Sequence, residues 1–201
     1  MYRAPNGQHC FLVAIEGPDR VGKATQAEML QQGLYQEGLK ATIEEIPSDD
    51  KVTYPQIYAM LHSGAVDRYP VVFQTLQATN RRYFQVHFLP NLAHHFDVII
   101  LDRWSLSTRV YGRVSGVKED TTEAILDGIL EPDLNIVLDG DPFPKEGLDT
   151  WEANLVFQSR VRELYGQYCD QDPKRFVKIE ANRPPHDVRQ DVLAEILKRL
   201  R

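Results

Sequence analysis

Apolar and polar positions along this chain fall into two alternating patterns. Compact apolar runs occur at residues 11–15 (FLVAI), 97–101 (DVIIL) and 134–138 (LNIVL). Runs this short and this apolar mark strands covered on both faces. Residues 40–46, closed by Pro47, and residues 175–179 raise the predicted strands to five. Between them the apolar spacing lengthens to helical periods. Residues 23–37 carry Ala27, Met29, Leu30 and Leu34, with Gly38 as the stop. Further helices are predicted over 56–61, 71–95 (with Pro90 as a kink), 121–130, 151–168 and 188–200. Ser63-Gly64 and Tyr69-Pro70 break the chain between two of them. Strands separated by helices of this length call for right-handed crossovers and a parallel sheet with helices on both faces. With no repeat, low-complexity tract or long linker, residues 1–201 read as one α/β domain.

Composition narrows this little but excludes much. The chain has 201 residues, 42% of them apolar and 26% charged, which is enough to bury a sizeable core. That excludes a disulfide-framed miniprotein, a fibrous repeat and a disordered chain. Its 23 basic and 29 acidic side chains leave a net charge of −6, which disfavours non-specific nucleic-acid binding but permits a local basic groove. Cys10 and Cys169, the only two cysteines, read as reduced, buried thiols without metal-ligand spacing. No apolar run approaches the roughly 20 residues of a membrane span, and residues 1–9 lack a signal peptide's basic and apolar parts, so a cytoplasmic location is expected.

The candidate chemistry begins at the end of the first run. Gly17, Pro18, Asp19, Arg20, Val21, Gly22 and Lys23 fit the first seven positions of the phosphate-binding pattern GxxxxGK[ST], between a strand and a helix as the pattern requires. Glycines let backbone N–H groups converge on phosphate oxygens, and the helix N-terminus adds favourable potential. Lys23 can follow a phosphoryl group in transfer, and Arg20 can bridge donor and acceptor phosphates. Asp19 is placed to meet a sugar hydroxyl or to orient Arg20, and Glu16 to hold a magnesium-bound water. At the eighth position Ala24 replaces the hydroxyl residue that would bind magnesium, and Thr25 follows it. Either a metal ligand has been lost, or magnesium is held through Thr25, waters and carboxylates. Asp102-Arg103, after the second compact run, reads either as site chemistry at a strand end or as a salt-bridged strand terminus. His94-His95 and the basic C-terminal residues read as helix-end features.

Residues 15–26, Asn80-Arg81, residues 102–107, 132–139, 157–165 and 177–188 together resemble the thymidylate kinases, a group of phosphate-loop nucleoside monophosphate kinases. The resemblance implies a five-stranded parallel sheet, usually in a dimer, and transfer of the ATP γ-phosphoryl group to a deoxynucleoside monophosphate. It implies ATP and Mg2+, catalytic Lys23, Arg20, Asp102 and Arg103, and metal contacts from Thr25, Asp102 and Glu16. Arg103 would hold the acceptor phosphate, Arg81 would read the base edge, and Tyr111 would lie near the nucleoside. Arg20 matches the subclass whose catalytic arginine lies in the phosphate loop. In keeping with that, the short lid around residues 139–150 has no arginine, only Lys145. Adenylate kinases have a similar small residue followed by threonine after the loop lysine.

The acceptor side departs from the family pattern. Glu45 stands where an arginine is usual, and a carboxylate repels a phosphate. Gln77 replaces a stacking phenylalanine; Phe73, one helical turn earlier, is the residue placed to compensate. Trp104 is expected to enlarge the aromatic surface at the usual tyrosine. The resemblance implies dTMP or a modified pyrimidine deoxynucleotide as acceptor, and these changes suggest that it is not ordinary dTMP held in the ordinary way. One alternative is a hydroxyl acceptor, either a modified nucleoside or hydroxymethyl-pyrimidine in DNA, as in some bacteriophage enzymes that resemble this group. A hydroxyl acceptor could call on a carboxylate base, for which Asp19, Glu45 and Asp102 are candidates, and DNA would reward a local basic surface to which Arg68, Arg81, Arg82, Arg103, Arg109 and Arg113 could contribute. The other is a nucleotide-binding protein without catalysis.

Overall fold

In the computed structural model, which describes residues 1–3, 7, 9–144 and 154–200, the compact apolar runs lie side by side. The strands are β1 (Tyr2–Arg3), β2 (His9–Glu16), β3 (Ala41–Glu45), β4 (Val98–Asp102), β5 (Leu134–Asp139) and β6 (Phe176–Glu180). The sheet order is β3-β4-β2-β5-β6, all parallel, with β1 added antiparallel along β2. The five predicted strands and their parallel arrangement are as expected; β1 was not foreseen. Val13, Ile15, Ile100 and Ile136 face one layer, Leu12, Ala14, Ile99 and Leu101 the other, following the two-residue period of a strand.

Nine helices among the described residues cover the sheet: α1 (Lys23–Gln36), α2 (Tyr54–Ser63), α3 (Ala65–Arg68), α4 (Pro70–His87), α5 (Leu89–His95), α6 (Ser105–Val114), α7 (Glu119–Leu126), α8 (Leu155–Gln171) and α9 (Pro185–Leu200). On one face Ala27, Leu30 and Leu34 of α1 pack with Val188, Val192 and Ile196 of α9. The other face buries residues from α4, α5 and α6, among them Phe84, Leu89 and Trp104, with α8 contributing Val161 and Tyr165.

Two helix expectations change. The predicted 71–95 helix is two helices, because Pro90 has no N–H to continue the ladder and instead occupies the first turn of α5. Helix α6 was not predicted at all: Trp104 stands at its N-cap and offers no side-chain cap. Residues 151–153 of the predicted 151–168 helix lie outside the described residues; α8 starts after Asn154, whose side-chain oxygen accepts from Phe157 N at 3.0 Å.

The order of strands fixes where a ligand can enter. The chain leaves β2 toward β3 and β4 on one side and returns to β5 on the other, so β2 lies at the point where the winding reverses. Ligands in such sheets bind beyond the carboxyl ends of the strands at that crevice. Register puts Ile15 beside both Asp102 and Ile136, so the loop after Glu16 opens into it.

Candidate active site

The loop after β2 is held by close backbone contact. Gly17 has φ +136, and a Cβ there would lie 2.5 Å from Leu138 O of β5, so only glycine fits. Gly22, at φ +91, is the N-cap of α1, and Lys23 opens that helix. Lys23 Nζ is buried and donates to Pro18 O at 2.7 Å. Burial, then the positive field of Arg103, lowers the Lys23 pKa to about 8 against the opposing pull of Asp19, Asp102 and Glu16.

Arg103 reaches the same loop from the end of β4. Its backbone is left-handed, φ +71, and its N–H donates to Ile15 O at 3.0 Å. The guanidinium donates to Gly17 O at 3.1 Å, to Ser107 Oγ at 3.2 Å and to the Asp19 carboxylate, and it lies over the Tyr111 ring at 5.2 Å. Burial works against this charge, but Tyr111, Asp19, Tyr165 and Asp102 more than offset it and hold Arg103 firmly protonated.

Asp19 is the hub of the cluster. Besides Arg103 it accepts from Tyr111 Oη at 2.8 Å and Gln158 Nε2 at 2.7 Å, while its own N–H donates to Gln158 Oε1 at 3.3 Å. Burial raises its pKa, but Arg103, Lys23 and the two hydrogen bonds win and keep it below the ordinary aspartate range. Gln158 is a residue the sequence reading missed. A single glutamine on a helix has no local signature; only the fold brings it 139 positions back to the loop.

Glu16 differs from expectation. Its carboxylate is fully buried and accepts from Trp104 N at 2.7 Å, Ser107 N at 3.2 Å, Ser107 Oγ at 2.5 Å and Tyr165 Oη at 3.1 Å. It therefore caps α6 from the neighbouring strand, and its oxygens are committed to protein donors rather than to a metal's water. Burial raises its pKa, with Ser107, Arg103, Trp104 N and Arg81 opposing.

Two aromatic expectations are also corrected. Phe73 is 2% exposed and belongs to the core with Ile57, Val66 and Leu106. It has no open face for a base. Trp104 is 1% exposed, donates to Leu130 O at 2.7 Å and meets Phe84 edge-on, so it too is core. Both rings turn inward because the segments that carry them, α4 and the entry to α6, bury apolar area in the core.

On the acceptor side, Arg81 is 2% exposed and donates to Gln77 Oε1 at 3.1 Å, one turn before it on α4. Its Nε has no partner among the described residues. Burial, partly countered by Glu16, lowers its pKa to about 10. Asn80 beside it accepts from Ser48 N and donates to Ser48 O, both at 2.8 Å, which ties the loop after β3 to α4. Glu45 is exposed at the end of β3, in register with Asp102.

Arg20 lies at the mouth of the loop with φ +63; its guanidinium donates to Phe143 O at 3.2 Å, and Phe143 N donates to Arg20 O at 2.8 Å. Residues 145–150 of the expected lid, Lys145 included, lie outside the described residues. Asp102 accepts no side-chain hydrogen bond among the described residues, and Ala24 and Thr25 are exposed in the first turn of α1. Asp102 and Thr25 carry hard oxygens of the kind that could hold magnesium alongside phosphates and waters. No cluster of three or more metal-ligating side chains occurs among the described residues, His94 and His95 included. Of the six arginines that a basic DNA face would draw on, four are committed within the protein. Arg81 and Arg103 are turned into the site, Arg109 is paired with Glu123 and Glu131, and Arg82 donates to the carbonyls of Ile125 and Asp127.

A buried lysine on a glycine-bounded loop and an arginine from the next strand, meeting through Asp19, make an anion site rather than a generic turn. Residues 15–192 match the family model described as thymidylate kinase. The chain belongs to the thymidylate kinase family. Similar proteins named thymidylate kinase come from Dinoroseobacter shibae (31% identical over 202 residues, 92% of this chain and 95% of the relative), Chlorobium chlorochromatii (28% over 215 residues, 95% and 96%) and Bifidobacterium longum subsp. infantis (29% over 206 residues, 95% and 88%). Membership carries thymidylate-kinase-like phosphotransfer, and with it the use of ATP and Mg2+ general to nucleoside monophosphate kinases. No described helix is long and apolar enough to cross a membrane. Cys10 and Cys169 are both buried and unpaired, and burial pushes their thiols up to about 12 and about 11.

Proposed function

We propose that this member of the thymidylate kinase family transfers the γ-phosphoryl group of ATP to dTMP or a modified pyrimidine deoxynucleoside monophosphate. The observation that carries this reading is the state of two buried cations. Among the described residues Lys23 donates only to a neutral carbonyl and Arg81 only to a neutral amide. Cations buried without a directly bonded carboxylate are costly unless a ligand supplies the anion. The donor triphosphate meets the first cation and the acceptor nucleotide the second.

The chemistry asks little of a general base, because the acceptor phosphate is already anionic. One of its oxygens attacks the γ-phosphorus in line, the bond to the β-phosphate oxygen breaks, and ADP leaves. Lys23 Nζ gives up Pro18 O to follow the charge, and Arg20 covers the loop mouth from which it reaches the transferring group. Arg103, fixed by Asp19 and Gly17 O, faces the acceptor phosphate. Asp102 and Thr25, with water, would hold magnesium, which would supply charge neutralisation on the phosphates.

A second reading, a hydroxyl acceptor, draws on one observation: Glu45 and Asp102 end adjacent strands in register, two carboxylates where an arginine would suit a phosphate. The commitment of Arg81, Arg82, Arg103 and Arg109 within the protein weighs against DNA as that acceptor. Transfer from γ-labelled ATP to a panel of deoxynucleoside monophosphates and hydroxymethylated DNA tests these readings. Label on a pyrimidine monophosphate is the expected result. Label on DNA alone replaces it with hydroxyl transfer, and ATP binding with no labelled product replaces it with a non-catalytic role.

The pH profile follows from Lys23. The site needs its cation, and the free protein's Lys23 titrates at about 8 rather than at 10.5. kcat/KM for ATP, which reports the free enzyme, is expected to fall about tenfold per pH unit above that value. A profile flat from pH 7 to 10 contradicts this. The same shift has an opposite sign for folding. Between about 8 and 10.5 the unfolded chain binds the proton more tightly, so the Lys23 contribution to stability rises with pH while activity falls.

A further inference from the structure

We propose that Gln158 is a positioning residue: by clamping the Asp19 carboxylate it keeps Arg103 aimed at the acceptor phosphate, an inference that rests on the reading of a deoxynucleoside monophosphate as acceptor. Gln158 lies near the start of α8 and is 6% exposed. Both ends of its amide meet one residue. Nε2 donates to Asp19 Oδ2 at 2.7 Å, and Oε1 accepts from Asp19 N at 3.3 Å. A helix position turned into the core is ordinarily apolar, as Val161 and Leu164 of the same helix are. A glutamine there gives up hydration and rotamer freedom, a cost that the two bonds to Asp19 offset.

The clamp sets direction. Asp19 Oδ2 takes Gln158 Nε2 and Tyr111 Oη, which leaves Oδ1 to face the Arg103 guanidinium. A carboxylate held at both oxygens resists turning, so the guanidinium plane is fixed by Asp19, Gly17 O and Ser107 Oγ together. The Arg103 backbone, at φ +71, is in a conformation that a non-glycine residue keeps where its surroundings over-determine it. Helix α8 supports the second donor as well: the ring of Phe157, the residue before Gln158, lies 6.0 Å from that of Tyr111. The helix is itself anchored by contacts that do not involve Asp19. Asn154 caps its start, and Tyr165, about two turns beyond Gln158, meets Glu16 Oε2 at 3.1 Å and Ser107 Oγ at 2.9 Å. Removing the Gln158 amide therefore frees Asp19 without releasing α8.

The test measures transfer from ATP to dTMP, or to whichever pyrimidine monophosphate of the acceptor panel takes label. It compares the wild type, Gln158→Leu, Gln158→Glu, Asp19→Asn and the double variant Gln158→Leu/Asp19→Asn, with circular dichroism to verify folding. Leucine keeps the bulk and the helix but removes both bonds, whereas glutamate keeps an acceptor for Asp19 N and loses the donor to the carboxylate. In Gln158→Leu, kcat/KM for the acceptor is expected to fall about tenfold to a hundredfold. Gln158→Glu should fall at least as far, and KM for ATP should stay within about twofold of the wild type in both. On the Asp19→Asn background, Gln158→Leu should cost less than about threefold more, because the carboxylate through which it acts is gone. Equal rises in KM for ATP and acceptor, or wild-type activity in Gln158→Glu, assign Gln158 to support of the loop backbone and overturn the proposal. Fully additive losses in the double variant overturn it too. A wild type that phosphorylates no monophosphate overturns the acceptor reading and the proposal together. One that does so, and whose acceptor kinetics are indifferent to Gln158, overturns the proposal alone.

Discussion

Replacing Lys23 by alanine is expected to lower phosphoryl transfer by about a thousand-fold or more while leaving the fold intact. The two halves of this expectation have one cause. Lys23 Nζ is buried against a single backbone carbonyl, and its pKa is already lowered to about 8 by burial and by Arg103. In the folded protein burial and Arg103 outweigh Asp19, Asp102 and Glu16 and make its charge a net cost, so removing it should take little from the resting structure. In the reaction the same charge moves with the phosphoryl group, where a preorganised donor in a site shielded from water has its largest effect. Labelled-phosphate transfer and thermal unfolding, measured on the same Lys23→Ala sample, check both halves. A loss of less than tenfold in a folded variant would remove Lys23 from the transfer step. A large loss of thermal stability would make it a structural residue instead.

The opposite pairing is expected at Glu16. Glu16→Ala should reduce stability by about 3–5 kcal/mol, because it strands several buried donors and two neighbouring guanidinium charges at once. Trp104 N and Ser107 N at the start of α6, and the hydroxyls of Ser107 and Tyr165, all point at this carboxylate. Arg103 and Arg81 both lie within its field. For a chain of this size the loss corresponds to a fall in melting temperature of roughly 10 °C. Glu16→Gln should fall between the wild type and alanine, since it keeps one acceptor oxygen and the two hydroxyls can turn to accept from its amide. Urea unfolding of the two variants measures this. A cost below about 1 kcal/mol for alanine would mean that α6 holds its own N-terminus. Activity should fall with stability in this series, because Arg103 sits one residue before the capped turn.

Much of this was open to reading along the chain. The central strands announce themselves because both of their faces are covered, which demands unbroken apolar runs, and the phosphate loop because glycine and lysine must stand at fixed spacing. Lys23, Arg103 and Arg81 were singled out, and the fold brings them around one crevice. Less legible was which polar residue serves the site and which serves the scaffold. Glu16, at a strand end beside the loop, has the same local setting whether it faces a metal's water or caps a helix. Phe73 and Trp104 lie in motif-bearing stretches, but a motif does not state the direction in which a ring points.

What the sequence by itself determined is the class of fold, the order of its five parallel strands along the chain and the phosphate loop, since each rests on periodicity or on spacing within about twenty residues. The tertiary structure alone decided the existence of α6 and the assignments of Glu16, Gln158, Phe73 and Trp104. The cap of α6 comes from a residue 88 positions away, and the clamp on Asp19 from one 139 positions away. Hydrogen bonds and burial of this kind are set by which strands become neighbours in the sheet, and no local pattern carries that information.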